Sequence, residues 1–139
     1  MEAKEKRILI VDDDQRILES LKNILESECY SVETAESGEE ATKKIEKNSF
    51  DIALLDIRLS GMQGPKLLEI QHEKFPRMVK IMMTGYPSLY SAIAALKLRA
   101  DAYIMKPVNP VTLLDVIKKS LRSKINCDYS CKNQMFSVH

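Results

Sequence analysis

Two apolar patterns alternate along this chain. Ile8–Val11 is continuously apolar, as expected for a strand covered on both faces. In Gln15–Glu28 the apolar residues Ile17, Leu18, Leu21, Ile24 and Leu25 recur at helical spacing, which predicts a helix with one buried face. Tyr30–Thr34 reads as a weaker strand nearer an edge. Ser37 and Glu40 form a capping box that opens a helix whose buried face is Ala41 and Ile45. Ile52–Leu55 is the third strand. Gly64–Lys74, with Leu67, Leu68 and Ile70, is the third helix, and Pro76 marks its end. Val79–Met83 is the fourth strand. Pro87–Leu98 is the fourth helix, with Leu89, Ile93 and Leu96 inward and Pro87 near its first turn. Ala102–Met105 is the fifth strand. Asn109 and Pro110 suit N-cap and first helical position of a last helix, Val111 to about Lys124, with Leu113, Leu114, Ile117 and Leu121 inward. Periodicity stops after Ile125, so residues 126–139 read as a frayed tail or the start of a linker, and 1–125 as one domain.

Strict alternation with short loops predicts a (βα)5 α/β fold, a doubly wound parallel sheet with helices on both faces. In such a sheet the carboxyl ends of the strands share one edge, where α/β proteins place their chemistry. The chain puts acids and a lysine there. Asp12, Asp13 and Asp14 follow the first strand, Asp56 ends the third within FDIALLDIRLSGMQG, Thr84 follows the fourth, and Lys106 follows the fifth. Acids from two strands and a lysine from a third point to a divalent metal and a phosphoryl group. Asp14 reads best as the N-cap of the first helix.

Composition narrows the class. The chain has 139 residues, 45% hydrophobic and 6% aromatic with no Trp, so one domain with an aliphatic core is expected. A net charge of +1 argues against a nucleic-acid surface spread over the domain. No apolar run approaches the ~20 residues of a membrane span. The polar start MEAKEKR leads directly into a strand, which is unlike a signal peptide. Three cysteines, Cys29, Cys127 and Cys131, fit a reducing cytoplasm. The CDYSC spacing lacks the further ligands of a metal site and reads as incidental. His72 and His139 have no sequence partner that suggests a ligand or a base.

Four motifs in order, VDDD (11–14), LLDIRLSGMQG (54–64), MTGY (83–86) and DAYIMKP (101–107), make residues from about Lys6 to Lys124 similar to the receiver domain of two-component response regulators. The resemblance implies a flavodoxin-like fold with strand order 2-1-3-4-5. It implies that Asp56 is the phosphoacceptor, charged by a histidine kinase or phosphotransfer domain in a Mg²⁺-dependent reaction. Asp13, Asp56 and the backbone carbonyl of Arg58 would hold the metal, with Asp12 acting mainly through a metal-bound water. Lys106 would pair with Asp56 and then a phosphoryl oxygen, Thr84 would bond another, and Gly85 would leave room for the incoming group. Thr84 and Tyr103 match the family's switch pair, which alters partner affinity at the face of the fourth helix, fifth strand and fifth helix. Dimerisation through that face is common in the family.

Some positions depart from the family pattern. Ser60 replaces the usual Pro, Gln63 a common Asp or Asn, and Arg99 a usual Gly. Arg58 and Tyr86 occupy positions that tune loss of the phosphoryl group; their bulk predicts a long-lived phosphorylated state. The expected function is a cytoplasmic signalling switch, not an enzyme turning over a separate substrate. It would stand alone or serve as the receiver of a longer transcription regulator, the stretch from Tyr86 to Pro107 most resembling receivers of ATPase-type activators. The alternatives are a pseudo-receiver that binds protein without phosphorylation, and a haloacid-dehalogenase-like phosphatase. The latter needs an acid where Arg58 stands.

Overall fold

A computed structural model describes residues 5–56, 74, 77–85 and 100–137, with side chains placed as far as Lys124. Five strands form one parallel sheet in the order β2-β1-β3-β4-β5. They are β1 (Arg7–Val11), β2 (Ser31–Ala35), β3 (Ile52–Asp56), β4 (Val79–Thr84) and β5 (Ala102–Met105). β3 and β4 are buried along their whole length, as continuous apolar strands in a covered sheet must be. Helix α1 (Gln15–Ser27) and the C-terminal helix (Pro110–Ser137) cover one face, where Leu18, Leu21, Leu25, Leu113 and Ile117 pack on Ile8, Ile10, Leu54 and Ile81. Helix α2 (Gly38–Lys47) lies on the other, with Ala41 and Ile45 in one cluster with Leu9, Val11 and Ala35. The architecture is therefore the doubly wound (βα)5 sheet that the alternation predicts, in the strand order that the resemblance implies. No helix among the described residues is long and apolar enough to cross a membrane. The expected third and fourth helices, and Arg58, Ser60, Gln63, Tyr86 and Arg99, lie outside the described residues.

The caps follow their sequence signals. Asp14 accepts the Arg16 N–H at 2.9 Å and caps α1. Asn109 accepts the Val111 and Thr112 N–H groups at 2.9 and 3.2 Å. Ser37 accepts the Glu40 N–H at 3.2 Å, while the Glu40 carboxylate reaches back to the Glu36 N–H at 3.1 Å, one residue before the cap. Helix α1 ends in a Schellman motif: Tyr30 N–H donates to Leu25 O and Cys29 N–H to Glu26 O, with Cys29 left-handed at φ 68°. That motif holds Tyr30 in the helix terminus and starts β2 one residue later than its apolar pattern predicts.

The C-terminal helix corrects one expectation. Its backbone stays helical for 28 residues, through Ser137, rather than giving way after Ile125. Apolar periodicity marks where a helix packs, not where it stops, and residues 126–137 contain neither Gly nor Pro to end it.

Candidate phosphoryl site at the carboxyl edge of the sheet

Four strands deliver the polar side chains to one edge. Asp12 follows β1, with its N–H bonded to Ala35 O at 3.1 Å. Asp56 is the last residue of β3, in register with Met83. Thr84 closes β4, and Lys106 follows β5, its N–H bonded to Thr84 O at 2.6 Å. Parallel pairing without a slip brings these positions together; a one-residue slip would turn Asp56 to the other face. The Lys106–Pro107 peptide bond is cis.

The Lys106 ammonium lies 2.6 Å from Asp12 Oδ2 and 3.2 Å from Asp56 Oδ2. Asp12 is fully buried and also accepts the Asp14 N–H on Oδ1 at 2.9 Å, so both its oxygens are engaged. Burial raises the Asp12 carboxyl above its ordinary range, opposed by the Lys106 and Asp14 hydrogen bonds and assisted by the charge of Asp56. For Lys106 burial acts downward, but the hydrogen bond and charge of Asp12, joined by Asp56, outweigh it and leave the ammonium held above its usual value. One cation thus bridges two nearly buried acids.

Carboxylate oxygens of Asp12, Asp13 and Asp56 lie within 4.8 Å of one another, Asp13 being the exposed member. Hard oxygen donors crowded with a single cation suit a hard divalent ion that can keep waters on its open side. Thr84 is buried at the edge. Among the described residues, a Cβ on Gly85 would meet Lys106 Cβ at 3.9 Å, an ordinary contact. Tyr103 is half-buried, in register with Met82 on β4, and its hydroxyl is buried without a hydrogen-bond partner among the described residues.

Sequence reasoning brought Asp12, Asp13, Asp56, Thr84 and Lys106 to one edge, and the structure places them there. It missed that Lys106 approaches Asp12 more closely than Asp56. It also missed Lys80, a fully buried lysine inside β4 whose ammonium donates to Met78 O at 2.7 Å. The signal for Lys80 was a charge within an otherwise apolar run. Arg58, the expected carbonyl ligand, is outside the described residues.

Comparison with known proteins bears on the family and the fold. A model of the response regulator receiver domain matches residues 8–118. The chain is 34% identical over 118 residues to the alginate biosynthesis transcriptional regulatory protein AlgB of Pseudomonas aeruginosa, covering 85% of this chain and 26% of that protein. It is 34% identical over 121 residues to the transcriptional regulatory protein GlrR of Escherichia coli, covering 87% and 27%. The chain thus spans about a quarter of the length of these two relatives. A solved receiver domain (CheY-like) from Methanospirillum hungatei superposes with a TM-score of 0.85 at 52% identity, covering 88% of this chain and 98% of that one.

Proposed function

This chain belongs to the response regulator receiver domain family, and on that premise we propose that it is a signalling switch driven by phosphorylation of Asp56. The observation that carries the reading is the convergence of Asp56, Lys106 and two further acids at one sheet edge. A carboxylate oxygen of Asp56 forms the bond to phosphorus, the donor's bond to phosphorus breaks, and an acyl phosphate remains on the chain. The donor is a phosphohistidine of a kinase or phosphotransfer domain, whose nitrogen keeps the electron pair. Lys106 moves from its carboxylate partners to a phosphoryl oxygen, and the Thr84 hydroxyl donates to another. Asp13, Asp56 and the Arg58 carbonyl, with Asp12 behind them, would hold Mg²⁺, which neutralises the charge of the acids and the incoming group when bound.

The readout passes through Thr84 and Tyr103 to the surface of the fourth helix, β5 and the C-terminal helix. A buried hydroxyl without a partner costs free energy, which supports Tyr103 as an element ready to change its surroundings. Partners are a histidine kinase or phosphotransfer domain and a downstream effector, in the cytoplasm. Residues 1–125 are the receiver and 126–139 a tail or linker. The domain signals rather than turning over a separate substrate.

The test is intact mass after incubation with Mg²⁺ and acetyl phosphate. One added phosphoryl group on the wild type and none on Asp56→Asn is expected. Addition to both proteins would overturn Asp56 as the acceptor, and addition to neither would leave a kinase-dependent receiver or a binding module, which Mg²⁺ affinity with and without Asp13 separates.

A further inference from the structure

A groove of about 670 Å³ opens between α1 and the segment after β5, lined among others by Arg16, Ile17, Leu21, Gly85, Lys106 and Val108. Leu21 is buried and Ile17 and Val108 half-buried, so the floor is apolar and already ordered. The charged lining residues are Arg16, its side chain 94% exposed and paired with Asp14 at 3.7 Å, Asp14 itself, and Lys106 at the acids. Lys106 belongs to both places, since its ammonium is 3.2 Å from Asp56 Oδ2. A molecule with an anionic head at Asp56 would therefore lay whatever the head carries along Ile17 and Leu21. The volume is that of a small-molecule site, which runs ~300–1,000 Å³, and an acetyl group would leave it almost empty.

We propose that this groove is the leaving-group subsite for acyl phosphates with an extended apolar acyl chain, a substrate class for the phosphoryl site that rests on the receiver reading above. In the transfer, an Asp56 oxygen bonds to phosphorus and the bond from phosphorus to the acyl oxygen breaks. The electron pair leaves with that oxygen as a carboxylate at the Lys106 end of the groove. No oxidant, reductant or proton donor is required. Chain burial is kept through the transition state, so the gain appears in the second-order rate constant.

The experiment compares acetyl phosphate with hexanoyl phosphate on the full chain at fixed Mg²⁺, reading phosphorylation of Asp56 by intact mass. The hexanoyl rate constant is expected to exceed the acetyl one by about tenfold, a fraction of what complete burial of the added methylenes would give. In Ile17→Asn and in Val108→Asn the ratio should fall to within about twofold, since a polar side chain in the floor removes the apolar contact. Circular dichroism of each variant establishes that it is folded. Asp56 phosphorylated equally by both donors in the wild type would overturn the groove and leave the receiver standing. A high ratio untouched by both substitutions would also overturn it. A ratio near one, with both variants slowed in transfer from a phosphohistidine protein, would give the groove to a protein helix instead. Phosphorylation by neither donor, with transfer from a phosphohistidine protein intact, would overturn the subsite alone, and failure of all three would remove the phosphorylation reading with it.

Discussion

Lys106 and Asp12 form the tighter ion pair of the site, at 2.6 Å, although Asp56 is the expected phosphoacceptor. Asp12 is fully buried and the Lys106 side chain only 16% exposed, which makes the pair expensive to break from one side only. Lys106→Met should destabilise the fold by about 3 kcal/mol, because it leaves two buried carboxylates without their cation. Adding Asp12→Asn should recover at least ~1 kcal/mol of that loss, since contacting residues are not additive. Urea denaturation of the four proteins in the cycle checks this. A coupling energy near zero would mean that the two side chains do not depend on one another.

Asp13 is the exposed carboxylate of the acid cluster, and the Lys106 contacts fall on Asp12 and Asp56. Asp13→Asn should weaken Mg²⁺ binding while leaving the Lys106 ion pairs in place. The loss should be at least the ~10–100-fold typical of removing an outer-shell partner. Titration calorimetry with Mg²⁺ measures it, and chelation should suppress phosphorylation of the wild type. Unchanged affinity would place the metal on Asp12 and Asp56 alone.

Much of this was readable in the chain. Asp14 and Asn109 announce their helices because a cap is a local device that needs only its own next few residues. Asp56 and Lys106 meet because a parallel sheet aligns the ends of its strands. What was not readable depends on distances between elements. Nothing in VDDD says that Asp12 lies nearer Lys106 than Asp56 does. A charge within VKIMM marks Lys80 but does not show it enclosed, because a lysine near a strand end is usually free to reach solvent. Residues 126–137 lack a stripe to pack, yet they contain no residue that stops a helix.

Cys29 offers a local test of backbone strain. It sits at φ 68° in the turn after α1, and its side chain is exposed, so it gains little from packing. A β-carbon in the left-handed region costs roughly 1–2 kcal/mol, and glycine gives back part of that in chain entropy. Cys29→Gly should therefore raise stability by about 0.5–1 kcal/mol while leaving phosphorylation intact. Cys29→Val should lower it, since a branched side chain tolerates that conformation least. Equal stability of the three proteins would show that the turn relaxes without strain.

Lys80 carries the strongest pH prediction. Burial, assisted by the charge of Lys124 and opposed by Asp101, lowers its ammonium from 10.5 to about 8. Lys124 itself pairs with Asp101 at 3.1 Å, so the acid is shared. Below pH 8 both the folded and the unfolded chain hold the proton, and the fold bears the full cost of the buried charge. Between pH 8 and 10.5 the unfolded chain binds more protons than the folded one, so stability rises with pH. The span corresponds to a cost on the order of 3 kcal/mol at neutral pH. Lys80→Met should remove this cost, less about 1 kcal/mol for the donor that Met78 O loses. The gain should be largest at pH 7 and shrink steadily as pH approaches 10.5. Subtracting the two denaturation curves at each pH cancels every other titrating group. A difference that does not change with pH would mean that the buried ammonium is fully compensated in the fold.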